Sequence, residues 1–98
     1  MLKPMENIRA QVIIHGLVHG VAFRASTCNQ AARLGVGGWV RNLPGGIVQA
    51  LFEGEKKKVE KILDWCHQGP LGARVTKVEI IWEPYQGEYK QFEIRYGM

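Results

Sequence analysis

Two stretches of this chain combine residue types that could hold an oxyanion. The first, His15-Gly16-Leu17-Val18-His19-Gly20-Val21-Ala22-Phe23-Arg24, has two glycines four apart and ends in an arginine. The second, Gly38-Trp39-Val40-Arg41-Asn42-Leu43-Pro44-Gly45-Gly46, has an asparagine just ahead of a turn. A glycine-bearing loop that leads into a helix can curl its backbone N–H groups around a phosphate. The first N–H groups of a helix lack intrahelical partners, and the helix dipole adds about half a positive charge at that end. Arg24, in the first helical turn, can add a bidentate fork to the same anion. Its charge at the positive end of the helix is unfavourable by up to about 1 kcal/mol, which a bound anion offsets. The loop fits neither the P-loop signature nor GxGxxG, and the same residues also make an ordinary turn followed by a solvated arginine. Asn42 could equally satisfy turn amides.

The rest of the inventory narrows the chemistry. Asp64 is the single aspartate and Ser26 the single serine in 98 residues. Aspartyl-phosphate chemistry, multi-aspartate magnesium sites and a Ser-His-Asp triad therefore lack parts or have one candidate per part. Cys28 and Cys66 form no CxxC, so neither a zinc knuckle nor a redox pair is readable, and buried thiols are expected. His15 and His19 straddle a glycine loop rather than share a helical face, and no metal site is expected from them. A net charge of +4 and a pI near 9.3 tilt the field toward anionic partners without choosing one. Lys56, Lys57, Lys58 and Lys61 read as a solvated helix face. The apolar runs are too short for a membrane span, and Met1-Leu2-Lys3-Pro4 lacks a secretory apolar region, so a cytoplasmic protein is expected.

The elements that must position these groups follow from periodicity. With 46% hydrophobic and 22% charged residues, the chain suits a single domain over 1–98, its core from about 8 to 96. Ile8, Ala10, Val12 and Ile14 alternate as one face of a strand that is expected to end at His15-Gly16. Phe23 to Leu34 reads as a helix with Phe23, Thr27, Cys28, Ala31 and Leu34 inward, stopped by Gly35. Val36 to Asn42 and Ile47 to Glu53 form a hairpin around Leu43-Pro44-Gly45-Gly46, and Gly54 is expected to break the second strand. Glu55 to His67 is a second helix with Val59, Ile62, Leu63 and Cys66 inward. Val75 to Glu83, with Val78, Ile80 and Trp82 on one face, and Phe92 to Tyr96 are further strands. The order is that of an α+β, ferredoxin-like split β-α-β sandwich: a mainly antiparallel sheet of four to five strands with two helices on one face. Its first two strands run parallel, so the loop after Ile14 and the end of the second strand at Asn42 share one rim.

At this point the two motifs together resemble the acylphosphatase family. Gly16 to Arg24 is similar to that family's GxVxGVxFR-type motif and Gly38 to Pro44 to its GWVRN motif. The similarity continues through Gly69-Pro70-Leu71-Gly72-Ala73-Arg74-Val75 and Phe92-Glu93-Ile94-Arg95, covering about residues 8 to 96. The resemblance implies metal-independent hydrolysis of small acyl phosphates without a cofactor. It also implies that Arg24 and the loop amides of Leu17, Val18, His19, Gly20, Val21 and Ala22 bind the phosphoryl group, while Asn42 orients the attacking water. Inorganic phosphate would then bind as product or inhibitor. The chain departs from the family at His19, often glutamine, and at Ala22, often glycine or an aromatic. A monomer is expected, with no nucleic-acid or membrane partner. The chain starts at methionine and ends soon after its last strand, so a free-standing hydrolase is expected over the related module of hydrogenase-maturation proteins. The alternative from another class is a non-catalytic anion- or nucleic-acid-binding module on the same scaffold. An RNA-recognition sheet needs stacking aromatics on its central strands, and here the first strand has none and the third only Phe52.

Overall fold

Period-two alternation becomes a sheet with one dry face. The computed structural model describes residues 6–96; Met1 to Met5, on which the reading of the N-terminus rests, lie outside them, as do Gly97 and Met98. The elements are β1 (Asn7–Leu17), α1 (Phe23–Leu34), β2 (Gly37–Leu43), β3 (Ile47–Glu55), α2 (Lys56–Cys66), β4 (Arg74–Glu83) and β5 (Phe92–Arg95). They form a five-stranded sheet of order β4-β1-β3-β2-β5. β3 is antiparallel to both β1 and β2, so those two run parallel with β3 between them, and β5 joins the far edge parallel to β2. The C-terminal ends of β1, β2 and β5 thus meet at one rim. This is the ferredoxin-like α+β fold.

Both helices pack on the same face. Ala10, Val12 and Ile14 of β1, Val40 of β2 and Val48, Ala50 and Phe52 of β3 are fully buried against Phe23 and Ala31 of α1 and Val59, Ile62, Leu63 and Cys66 of α2. The spacing of the α2 set, i, i+3, i+4, i+7, is one helical stripe. Burying each large side chain contributes roughly 1.5–3 kcal/mol. Phe52 also stacks on Phe92, ring centroids 5.5 Å apart, which ties β5 to the core. Cys66 is buried and Cys28 half-buried, both as free thiols. Burial pushes both thiols up in pKa, with Glu93 adding to the effect at Cys28, so neither is a reactive thiolate.

Two sequence expectations are corrected. β1 does not end at His15-Gly16: a bulge there lets it pair with β4 as far as Leu17 opposite Arg74. Gly16 permits this at φ 127°, where a Cβ would lie 2.1 Å from the Arg74 carbonyl oxygen. Gly54 does not break β3 but pairs with Ile8 inside it, and the chain turns only after Glu55. Trp82 shares a face with Val78 and Ile80 as expected, and it is 58% exposed because β4 is an edge strand and the helices pack on the other four.

The second face carries charge. Segment 84–91 crosses it as a strap from β4 at one edge to β5 at the other. Beneath it Arg9 pairs with Glu83 and Glu88, each at 2.9 Å, and with Glu53 at 3.4 Å. Burial alone would raise the Glu53 carboxyl pKa. The backbone N–H groups of Gln86, Tyr89 and Glu88 and the Arg9 charge overcome that and hold it below the usual carboxylate range. Its stabilising contribution is therefore fully present above the ordinary carboxylate pKa of about 4.3 and is lost as pH falls through the lowered folded value.

Candidate active site

The rim where β1, β2 and β5 end holds a cavity of about 200 Å³ lined by Val18, Gly20, Ala22, Phe23, Arg24, Ala25, Asn42, Ile94 and Tyr96. Drug-sized sites span about 300–1,000 Å³, so this one suits a small ligand. Its inner wall is the start of α1. Ala22, the N-cap, takes a left-handed backbone at φ 57°, ψ 33°, and no side chain caps the helix. That conformation costs a residue with a Cβ about 1–2 kcal/mol. The first intrahelical bond runs from the Ser26 N–H to the Ala22 carbonyl at 3.0 Å. The backbone N–H groups of Ala22, Phe23, Arg24 and Ala25 precede it and have no partner within the helix. All four residues border the cavity.

Register explains how Asn42 arrives there. Ile14 of β1 pairs with Val48 of β3, and Val48 pairs with Asn42 of β2. The three lie in one row on the helix-covered face, level with the strand end from which the loop departs. Arg24 comes from the first turn of α1, and its guanidinium carbon lies 5.1 Å from the centroid of the Tyr96 ring. Among the described residues no carboxylate forms an ion pair with Arg24. Stacking occupies a guanidinium's face and leaves its in-plane N–H donors for another acceptor.

The loop residues divide. Val18, Gly20 and Ala22 line the cavity, whereas Leu17, His19 and Val21 are not among its lining residues. Leu17 belongs to β1 and is exposed. His19 Nε2 makes a 2.7 Å hydrogen bond with the carbonyl oxygen of Ile47, tying the loop to the β2–β3 hairpin. His15 pairs instead with Glu79 at 2.6 Å. Among the described residues no three His, Cys, Asp or Glu side chains gather as a metal-binding group. Sequence reasoning missed Ile94 and Tyr96 as walls of the site. The signal was the Phe92, Ile94, Tyr96 alternation, which puts Tyr96 on the core face once β5 lies parallel to β2.

Fold and rim together define a ferredoxin-like domain with a small cavity at the start of its first helix, bordered by Arg24 and Asn42. A family model described as acylphosphatase matches residues 10–94, and the chain belongs to the acylphosphatase family, a family of hydrolases. It is 56% identical over 89 residues to the acylphosphatase of Geobacter sulfurreducens, covering 91% of this chain and 98% of that one. The structure of an acylphosphatase from Coxiella burnetii superposes with a TM-score of 0.86 at 31% identity, over 91% of this chain and 93% of that one. Full-length HypF in its phosphate- and nucleotide-bound form is similar over 96% of this chain but 12% of its own, with a TM-score of 0.85 and 26% identity.

Proposed function

We propose that this acylphosphatase holds the phosphoryl group of its substrate between the loop and helix N–H groups and Arg24, and positions the attacking water with Asn42. The reaction is hydrolysis of the carboxyl–phosphate bond of a small acyl phosphate to carboxylate and inorganic phosphate. The observation that carries the assignment is that a helix start with no side-chain cap, an arginine with no carboxylate partner among the described residues and an asparagine from another strand border one small cavity.

The chemistry matches those groups. The leaving group departs as a carboxylate, a weak base that needs no general acid. Phosphoryl transfer through a loose transition state calls mainly for alignment and for donors to the equatorial oxygens. The guanidinium and the N–H groups supply those donors without a metal. Asn42 does not titrate in the working range, so it orients rather than deprotonates. Its carbonyl oxygen accepts a hydrogen bond from water while its NH₂ faces the substrate, holding an in-line geometry. The water's proton passes to the phosphate product. The loop N–H groups in this reading are those of Leu17, Val18, His19, Gly20, Val21 and Ala22; Leu17 also anchors the loop in the β1–β4 ladder, and the His19 ring fastens it to the hairpin.

The surroundings fit a monomer of one domain in the cytoplasm. Two free thiols suit a reducing compartment, and among the described residues no helix is long and apolar enough to cross a membrane. A nucleic-acid partner is disfavoured because Trp39, on the open face, is 7% exposed and covered by Arg41 and Arg95, whose guanidinium carbons lie 5.3 and 4.8 Å from its ring. Its ring is not free to stack on a base. Benzoyl phosphate is expected to be hydrolysed at an unchanged rate in EDTA, with inorganic phosphate as a competitive inhibitor. Binding of phosphate without turnover would leave a plain anion binder, and a rate that collapses with chelation would refute the metal-independent mechanism.

A further inference from the structure

Glu53 sits on the opposite face of the sheet from the cavity, yet its carboxylate gathers the strap that delivers the cavity's outer wall. Oε1 accepts the backbone N–H groups of Glu88 at 2.8 Å and Tyr89 at 3.1 Å, and Oε2 those of Gln86 at 2.9 Å and Gly87 at 3.1 Å. Four successive N–H groups converge on a residue that is 2% exposed. This is a backbone anion nest filled by the protein's own side chain. Just beyond it the Gln91 carbonyl accepts the Gly38 N–H at 3.0 Å. The chain then runs as β5 alongside β2, in register from Gly38↔Phe92 to Arg41↔Arg95. β5 is only four residues long, so the geometry with which the strap enters it decides where its last side chains fall. Those side chains are Ile94 and, just past the strand, Tyr96, the residues that line the cavity with the first turn of α1.

We infer that Glu53 is a positioning residue for the hydrolysis: by holding the strap it sets Tyr96 against the Arg24 guanidinium, and so fixes the orientation in which Arg24 meets phosphate. The inference rests on the role proposed above for Arg24. A carboxylate is required because donors arrive at both oxygens. Glutamine has the same shape but one oxygen, and its NH₂ would face two of the four N–H donors. Leaving those donors unpaired in a buried place drives the strap outward.

The test is Glu53→Gln, assayed where its far-UV circular dichroism matches the parent. A loss of about tenfold in kcat/KM for benzoyl phosphate is expected, since misplacement by a fraction of an ångström to an ångström costs up to about a hundredfold. Inorganic phosphate should inhibit about fivefold more weakly, from a guanidinium no longer aligned for a charge-assisted hydrogen bond. The Arg24 Nε–H resonance should leave the position that the Tyr96 ring current gives it. Val59→Ala, a cavity mutation in α2 that touches neither strap nor site, controls for lost stability and should keep the parental kcat/KM. Unchanged kcat/KM and an unchanged Arg24 resonance in Glu53→Gln would overturn the inference, as would equal losses in both variants. If Glu53→Gln needs trimethylamine N-oxide to fold, the same readings apply in that osmolyte, and parental kinetics there would equally overturn it. Arg24→Ala separates the two claims: full activity in that variant sinks the anion-site assignment, while the Arg24 resonance in Glu53→Gln tests the strap by itself.

Discussion

Asn42→Ala is expected to lower kcat for benzoyl phosphate by about a thousandfold while changing inhibition by inorganic phosphate less than about twofold. Removing one preorganised polar group that acts on the transition state costs about 10²–10³ in rate, and loss of an aligned water lies at the upper end because effective concentration is lost as well. The product has no attacking water to align, so its affinity rests on the N–H groups and Arg24. Arg24→Ala should differ in kind. It removes charge-assisted hydrogen bonds of about 1.5–3 kcal/mol, so phosphate inhibition weakens by at least about tenfold and turnover falls too. Steady-state kinetics with phosphate as a competitor measures both quantities in each variant. Equal weakening of phosphate inhibition in the two would refute the division of labour between anion grip and water alignment.

Gly38→Ala is expected to unfold the protein or to destabilise it by more than about 4 kcal/mol, the range reserved for direct steric conflict. Gly38 has φ 139°, and a Cβ there would lie 1.7 Å from the carbonyl oxygen of Leu51 on the neighbouring strand. The three nearest atoms all belong to the β3 backbone, which leaves nothing flexible to yield. Gly37 is similarly pressed, its added Cβ 2.0 Å from the Tyr89 carbonyl oxygen in the strap. Gly45→Ala is the matched control. Its φ of 90° is also unfavourable to a side chain, but the space around it is open, so its cost should stay near 1–2 kcal/mol. Thermal melts of the two variants decide the matter. A Gly38→Ala protein that melts within a few degrees of the parent would contradict this account of the close-packed hairpin.

Most of the fold was legible because its patterns are local. The stripe Val59, Ile62, Leu63, Cys66 and the alternation Ala10, Val12, Ile14 each announce their element, and both sets are buried. The meeting of Arg24 and Asn42 at one rim follows from the parallel run of β1 and β2 that the element order implies. What escaped reading depends on partners remote in sequence. Gly16 and Gly54 resemble strand breakers, but a bulge and the adjoining strands keep them in the sheet. Trp82 is apolar, but its edge position leaves it uncovered by either helix. Glu53 looked like an unremarked strand residue because its four donors lie more than thirty positions away and are backbone groups, which carry no residue-type signature. Tyr96 joins the site only through the direction of β5, which a four-residue strand does not declare.

That short strand has a consequence for how the molecule fails. β5 sits at the margin of the sheet and pairs with β2 alone, so, even with the Phe52–Phe92 stack, it is expected to open at a lower free-energy cost than the central strands. The outer wall of the cavity, Ile94 and Tyr96, is therefore expected to peel away while the four remaining strands and both helices stay assembled. Inactivation by heat or denaturant would then run ahead of global melting, and residual activity would report the integrity of one margin and not the fraction of molecules folded.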